Sequence, residues 1–226
     1  MDLSPYTISD IKNCFLNLDL EFTLEKENIF KILLSKSYLV PNIRGNINSL
    51  RDYILKWDIK YKKGYENRPS KKTSIKSSTI PDRAVKYIFG LLVNGDETLL
   101  SDAEMHHSKF MKIENLVGSL IEEYLSEKLK YKNWYCAWGE SIKSVDFYSV
   151  NGDLLQVKTS DNSENSSSSK VREGTQIKKW FRRYSKKDDV YNWEQLEEIT
   201  GVKNLNENDF RKFSSMIIKK NPQILG

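Results

Sequence analysis

The sequence of 226 residues holds only two histidines and two cysteines. His106 and His107 are adjacent, so they cannot form the i,i+4 imidazole pair of a helical zinc site; a structural or surface role is expected for both. Cys14 and Cys136 are too far apart to suggest a disulfide framework or a zinc site, and they read as buried free thiols. No apolar run approaches the ~20 residues needed to cross a bilayer, so no membrane is expected. Met1-Asp2-Leu3-Ser4 lacks the basic-then-apolar layout of a secretory signal. These absences point to a reducing cytoplasm. No internal repeat is present.

The length suits one sizeable domain, or a core domain with a helical extension. A hydrophobic fraction of 38% beside a charged fraction of 30% suits a soluble globular protein. The net charge is only +5, but its distribution is uneven. From Lys56 to Lys76 there are eight Lys or Arg against two acids, and from Lys170 to Lys187 eight against one. Positive charge concentrated in this way either forms solvated faces or attracts a polyanion, of which phosphate backbones are the commonest.

Residues 1–78 read as a helical N-terminal region ending in a basic arm, and 79–226 as the core with a serine-rich loop and a basic helix. Apolar spacing predicts two helices within 8–34, then a third capped by Ser49 and running to Trp57. Tyr61–Ser78, rich in Lys, Ser and Asn, reads as an exposed loop. "STIPDRAVKYIFGLLV" restarts a helix with Thr79 as its cap, and another is expected over 102–110. "KIENLVGSLIEEYLSEKL" predicts a largely buried helix over 112–129. Gly118 in its middle suggests close approach of another backbone, or simply a tolerated defect. Glu114 and Glu122, four residues to either side, lie on its stripe.

The most informative stretch is "KSVDFYSVNGDLLQVKTSDN", Lys143–Asn162. Asn151-Gly152 is a two-residue turn signal and predicts antiparallel strands over 142–150 and 153–159. Alternation places Val145, Phe147, Leu155 and Val157 on a core face and brings Asp146, Gln156 and Lys158 together on the other. A carboxylate, an amide oxygen and the Val157 carbonyl are hard donors of the kind Mg²⁺ takes. Lys158 adds positive charge where a phosphate oxygen would sit. With an acid from the preceding helix, the set suits metal-assisted phosphodiester hydrolysis.

This layout resembles the PD-(D/E)xK nucleases, in which a helix glutamate precedes a hairpin carrying D…(D/E)xK. Two positions depart from that pattern: Val145 stands where proline is usual, and Gln156 replaces an acid. Gly118 followed by Glu122 is similar to the helix pattern of that superfamily, which favours Glu122 over Glu114. Thr175 reads as the cap of a basic helix to Tyr184, with Lys178 and Arg182, and Lys179 and Arg183, in i,i+4 rows.

"NSENSSSSKVREGTQIKKWFRR", "MKIENLVGSLIEEYL", "VDF" with "LQVK", and "ENRP" together resemble the SinI-type family of type II restriction endonucleases, over roughly residues 40–200. The resemblance implies an α+β restriction-endonuclease-like core, a central mixed sheet flanked by helices. It implies a Mg²⁺-dependent homodimer that cuts double-stranded DNA at a short near-palindromic site, GGWCC in the type member. It also implies a cognate DNA methyltransferase that protects host DNA without necessarily binding this chain. The expected catalytic residues are Glu122, Asp146, Gln156 and Lys158. The expected metal ligands are Asp146, Gln156, Val157 and Glu122. DNA contacts are expected from Asn162, Asn165, Ser166, Lys170, Arg172, Gln176, Lys178, Lys179, Arg182 and Arg183. Two other functions compete: a non-catalytic nucleic-acid-binding protein on a degenerate nuclease fold, and a repair nuclease that recognises DNA shape.

Overall fold

A computed structural model describes residues 1–72, 74, 83–93, 96–162 and 173–225. The N-terminal helices are α1 (Ile8–Asn17), α2 (Leu24–Ser35) and α3 (Leu50–Glu66), each begun by a side-chain cap. At α1, Thr7 accepts from the Asp10 N–H while Asp10 returns a bond to Thr7, satisfying two otherwise orphaned donors. Ser49 caps α3 as expected, accepting from the Asp52 N–H at 3.1 Å. The helix continues nine residues past Trp57, into the first six residues of the segment expected to be a loop. Side chains such as Lys60, Lys62 and Lys63 are good helix formers, and they stay on its half-buried or exposed faces.

Beyond the arm come α4 (Arg83–Leu92) and α5 (Glu97–Leu129). Asp96 caps α5 by accepting from the Thr98 and Leu99 N–H groups. The two helices expected over 102–110 and 112–129 are therefore one of 33 residues, because no Gly, Pro or capping residue separates them. Thr79, the expected cap of the helix before it, lies outside the described residues. His106 and His107 are exposed on α5. Among the described residues no helix is long and apolar enough to cross a membrane.

The sheet follows: β1 (Trp134–Cys136), β2 (Phe147–Ser149), β3 (Leu154–Ser160) and β4 (Ile177–Arg183), in that spatial order. β1–β2 and β2–β3 are antiparallel and β3–β4 is parallel, giving the mixed sheet expected of this α+β class. The β2–β3 hairpin forms around Asn151-Gly152, but its loop holds three residues. Ser149 and Asp153 close it through a 2.9 Å bond, and of the two turn residues only Gly152 takes positive φ, at 87°.

Two helices complete the chain, α6 (Trp193–Thr200) and α7 (Glu207–Lys220). One face of the sheet buries Phe147, Leu155 and Trp180 against α5, α6 and α7. The other buries Tyr148, Leu154 and Ile177 against the N-terminal helices, where Phe30 and Trp57 pack with ring centroids 4.7 Å apart. Both faces are therefore core. Val145 belongs with the second cluster and not with Phe147 and Leu155, which corrects the expectation of one core face and one polar surface. Cys136 is buried, Cys14 is partly exposed, and both are free thiols.

Candidate active site

Four pieces of chain enclose a cavity of about 300 Å³. The end of α3 and the arm contribute Gly64, Asn67, Arg68 and Pro69. Helix α5 contributes Ser119 and Glu122. The end of β1 and the segment after it contribute Cys136 to Glu140, and Val145 and Asp146 close it just before β2. Helix α3 meets the Trp138–Glu140 turn backbone to backbone: a Cβ on Gly64 would land on Gly139, and one on Gly139, at φ 66°, would land on the Lys60 carbonyl. Two glycines at one crossing permit this approach. Gly118, expected to allow such an approach, does something milder. A Cβ there would sit 3.8 Å from the Thr159 methyl, an ordinary contact.

Asp146 is fixed by β3. Its N–H donates to the Leu155 carbonyl at 2.9 Å, and its carboxylate Oδ2 accepts the Val157 N–H at 2.7 Å. In an extended strand the N–H and C=O of one residue point to the same side, so the Val157 carbonyl points toward Asp146 as well. Glu122 reaches the cavity from α5. Burial pushes its carboxyl up to about 8, the negative charge of Asp146 pushes in the same direction, and Lys158 offsets part of this. Burial also raises Asp146, to about 6, against the Val157 hydrogen bond and the Lys158 charge. Glu122, Asp146 and Lys158 thus form one electrostatic group in which two carboxylates resist ionising together.

Glu114 is exposed on α5 and lies outside the cavity. Glu123 is buried and is committed to the arm, where it accepts from the Ser70 N–H and hydroxyl. Gln156 stands on β3, 4% exposed, paired in register with Lys179. Gln156, Val157 and Lys158 do not line the cavity themselves. Among the described residues no three His, Cys, Asp or Glu side chains gather as a metal site.

The basic segment after the loop is a strand. Ile177–Arg183 pairs in parallel with Leu154–Ser160, so the expected i,i+4 rows do not exist. Ile177 and Trp180, on opposite faces of the strand, are both buried once it completes the sheet, a gain an isolated helix would not give. Arg182 is taken up inside the protein: it forms a 2.7 Å ion pair with Glu207 and lies 5.3 Å from the Tyr191 and Phe210 ring centroids. Lys178 is exposed and 3.7 Å from Asp153, Gln176 and Arg183 are exposed, and Asn162 accepts from the Ser160 hydroxyl. Asn165, Ser166, Lys170 and Arg172 lie outside the described residues. Arg68 is a cavity residue that the catalytic and binding sets did not include, although the "ENRP" stretch pointed to it.

Comparison with known proteins places the site in context. Residues 21–220 match the family described as SinI restriction endonuclease. The type II restriction enzyme Eco47I of Escherichia coli is 44% identical over 141 residues, covering 60% of this chain and 61% of that protein. The type II restriction enzyme SinI of Salmonella infantis is 42% identical over 148 residues, covering 63% and 64% respectively. The matched chain thus spans about three fifths of the length of these relatives.

Proposed function

The chain belongs to the SinI restriction endonuclease family, and on that premise we propose that it is a type II site-specific deoxyribonuclease that hydrolyses phosphodiester bonds in double-stranded DNA. The observation that carries the proposal is the pairing of Glu122 and Asp146 across one cavity, with the charge of Lys158 acting on both. Two carboxylates that burial and mutual repulsion hold up are poorly placed for structural work. They suit a hard divalent cation, which removes both penalties at once.

The donor chemistry fits Mg²⁺. Glu122 and Asp146 would supply the charged oxygens, and Gln156 and the Val157 carbonyl the neutral ones. When bound, such an ion neutralises phosphate charge and acidifies a water. Lys158 stabilises the charge that builds on the phosphate and orients the attacking water. The Val157 N–H holds the Asp146 carboxylate in its working orientation. In this assignment residues 79–226 carry the nuclease core, and 1–78 close the site with Gly64 and Arg68.

A short near-palindromic site is expected, with GGWCC the first candidate. Two copies of the chain would then cut one strand each as a homodimer. Base reading is assigned to the segment around Asn165 and Arg172. Phosphate contacts are assigned to Lys178, Lys179 and Arg183, since phosphates position a protein without specifying sequence. Host DNA would be protected by a cognate methyltransferase.

Digestion of a mapped plasmid in Mg²⁺, followed by run-off sequencing of the ends, tests the proposal. Discrete fragments sharing one end sequence are expected. A folded protein that binds duplex DNA but leaves it intact in Mg²⁺ and Mn²⁺ would establish the non-catalytic alternative.

A further inference from the structure

Arg68 lines the same cavity as Glu122 and Asp146, and three contacts fix its orientation. Its guanidinium lies 3.7 Å from the Tyr65 ring centroid and 5.5 Å from that of Trp138. Its Nε donates to the Tyr65 carbonyl at 2.7 Å. Among the described residues it forms no ion pair, so the terminal nitrogens of the fork are not spent on a carboxylate. An arginine stacked on rings and held at Nε keeps its outer donors in a plane suited to two oxygens of one anion.

The chain around it is tied down as well. Pro69 is buried, and Ser70 donates both its N–H and its hydroxyl to Glu123, a glutamate only 2% exposed. A buried carboxylate is costly unless fully paired, and here its partners come from the residue two positions after Arg68. Adjacent residues of α5 thus have different tasks: Glu122 faces the cavity and Glu123 anchors the arm that delivers Arg68.

Resting on the nuclease function proposed above, we propose that Arg68 is the phosphate clamp of this site, gripping the scissile phosphodiester in the cavity it shares with Glu122 and Asp146. Ser70 and Glu123 are its positioning residues. Arg68 holds non-bridging oxygens, so negative charge developing on the phosphate meets a fixed donor pair.

The test uses the full-length protein and a duplex carrying its cleavage site, located by run-off sequencing. Single-turnover cleavage in Mg²⁺ is expected to fall about 100-fold in Arg68→Ala, the scale for losing a charge-stabilising donor, and less in Arg68→Lys. A second duplex carries a neutral methylphosphonate at the scissile position. In Ca²⁺ this replacement should weaken binding of the wild type markedly and of Arg68→Ala hardly at all. Ser70→Ala should shrink that wild-type difference while leaving the melting temperature within a few degrees. Circular dichroism and melting curves of each variant separate misfolding from loss of the clamp, and Arg68→Lys supplies the folded comparison if Arg68→Ala fails. Cleavage by Arg68→Ala within threefold of wild type, or an equal methylphosphonate penalty in both proteins, would overturn the clamp alone. A wild-type chain that cuts no duplex would overturn the nuclease proposal and the clamp with it.

Discussion

Asp146 and Val157 are joined by a 2.7 Å hydrogen bond from the Val157 N–H to the Asp146 carboxylate. One carboxylate oxygen therefore registers the end of β2 against β3, which leaves the other for chemistry. Asp146→Asn keeps an acceptor for that N–H if its amide oxygen turns toward it, but removes the charge. Its melting temperature should stay within a few degrees of wild type while cleavage falls at least about 100-fold, the loss typical of a charge-stabilising group. Parallel melting and single-turnover assays check this. Retained cleavage would remove Asp146 from the proposed metal site.

The Glu122–Asp146 pair sets a pH dependence with a definite sign. Both groups are raised in the folded protein, Glu122 from 4.5 to about 8 and Asp146 from 3.8 to about 6. Between the unfolded and folded values the native state binds more protons than the unfolded chain, so stability falls as pH rises. In EDTA the melting temperature should therefore decline from about pH 5 to about pH 8, and Glu122→Gln should flatten the decline. In Mg²⁺ the decline should shrink, because the ion takes the place of the protons. An upward slope in EDTA would contradict the buried pair.

The site was partly legible in the sequence because its chemistry is carried by residue types that strands and helices place by simple periods. Asp146 before an Asn-Gly turn follows from hairpin geometry, whereas Glu122 is singled out over Glu114 by the resemblance to the helix pattern of the nuclease superfamily. What was hidden depends on tertiary contacts. Ile177–Arg183 has an ambiguous short pattern, and only the parallel partnership with β3 makes it a strand. Lys26 and Asp58 form a buried 2.6 Å ion pair, and nothing in the sequence links the two. Arg68 reads as part of a basic arm, and its place in the cavity depends on Glu123, 55 positions away. The second core face of the sheet was invisible for the same reason, since periodicity cannot tell which helices cover it.

Gly64 and Gly139 let α3 lie directly on the turn that walls the cavity. Gly64→Ala must push that turn away and should cost about 1–3 kcal/mol of stability, the scale of overpacking. The displaced turn carries Trp138, one of the rings against which Arg68 rests, so cleavage should fall further than the stability loss alone explains at a temperature where the variant is fully folded. Gly152→Ala serves as the comparison: at φ 87° a side chain strains the backbone there, but its Cβ meets nothing within 4 Å and displaces no neighbour. Its destabilisation should come without a matching drop in cleavage. Equal activity losses in both variants would mean that the crossing does not shape the site.

Arg182 and Arg183 are neighbours in sequence but lie on opposite sides of β4, and alternation predicts opposite phenotypes. Arg182 is 11% exposed and paired with Glu207, which is 13% exposed. Arg182→Ala leaves that carboxylate to Arg211, which still reaches it at 3.1 Å. The loss should therefore stay at the low end for a broken buried pair, about 3 kcal/mol, and DNA binding of the folded fraction should keep its salt dependence. Arg183 is exposed, at the β4 end beside Asp161, whose N–H donates to the Arg183 carbonyl at 3.2 Å. Arg183→Ala should leave the melting temperature unchanged, weaken binding to cognate and random duplexes alike, and reduce the slope of log affinity against log salt by about 1. Binding titrations in Ca²⁺ at several salt concentrations, set beside melting curves, distinguish the two. If Arg182→Ala changes the salt slope and Arg183→Ala does not, the phosphate contact assigned to Arg183 is wrong.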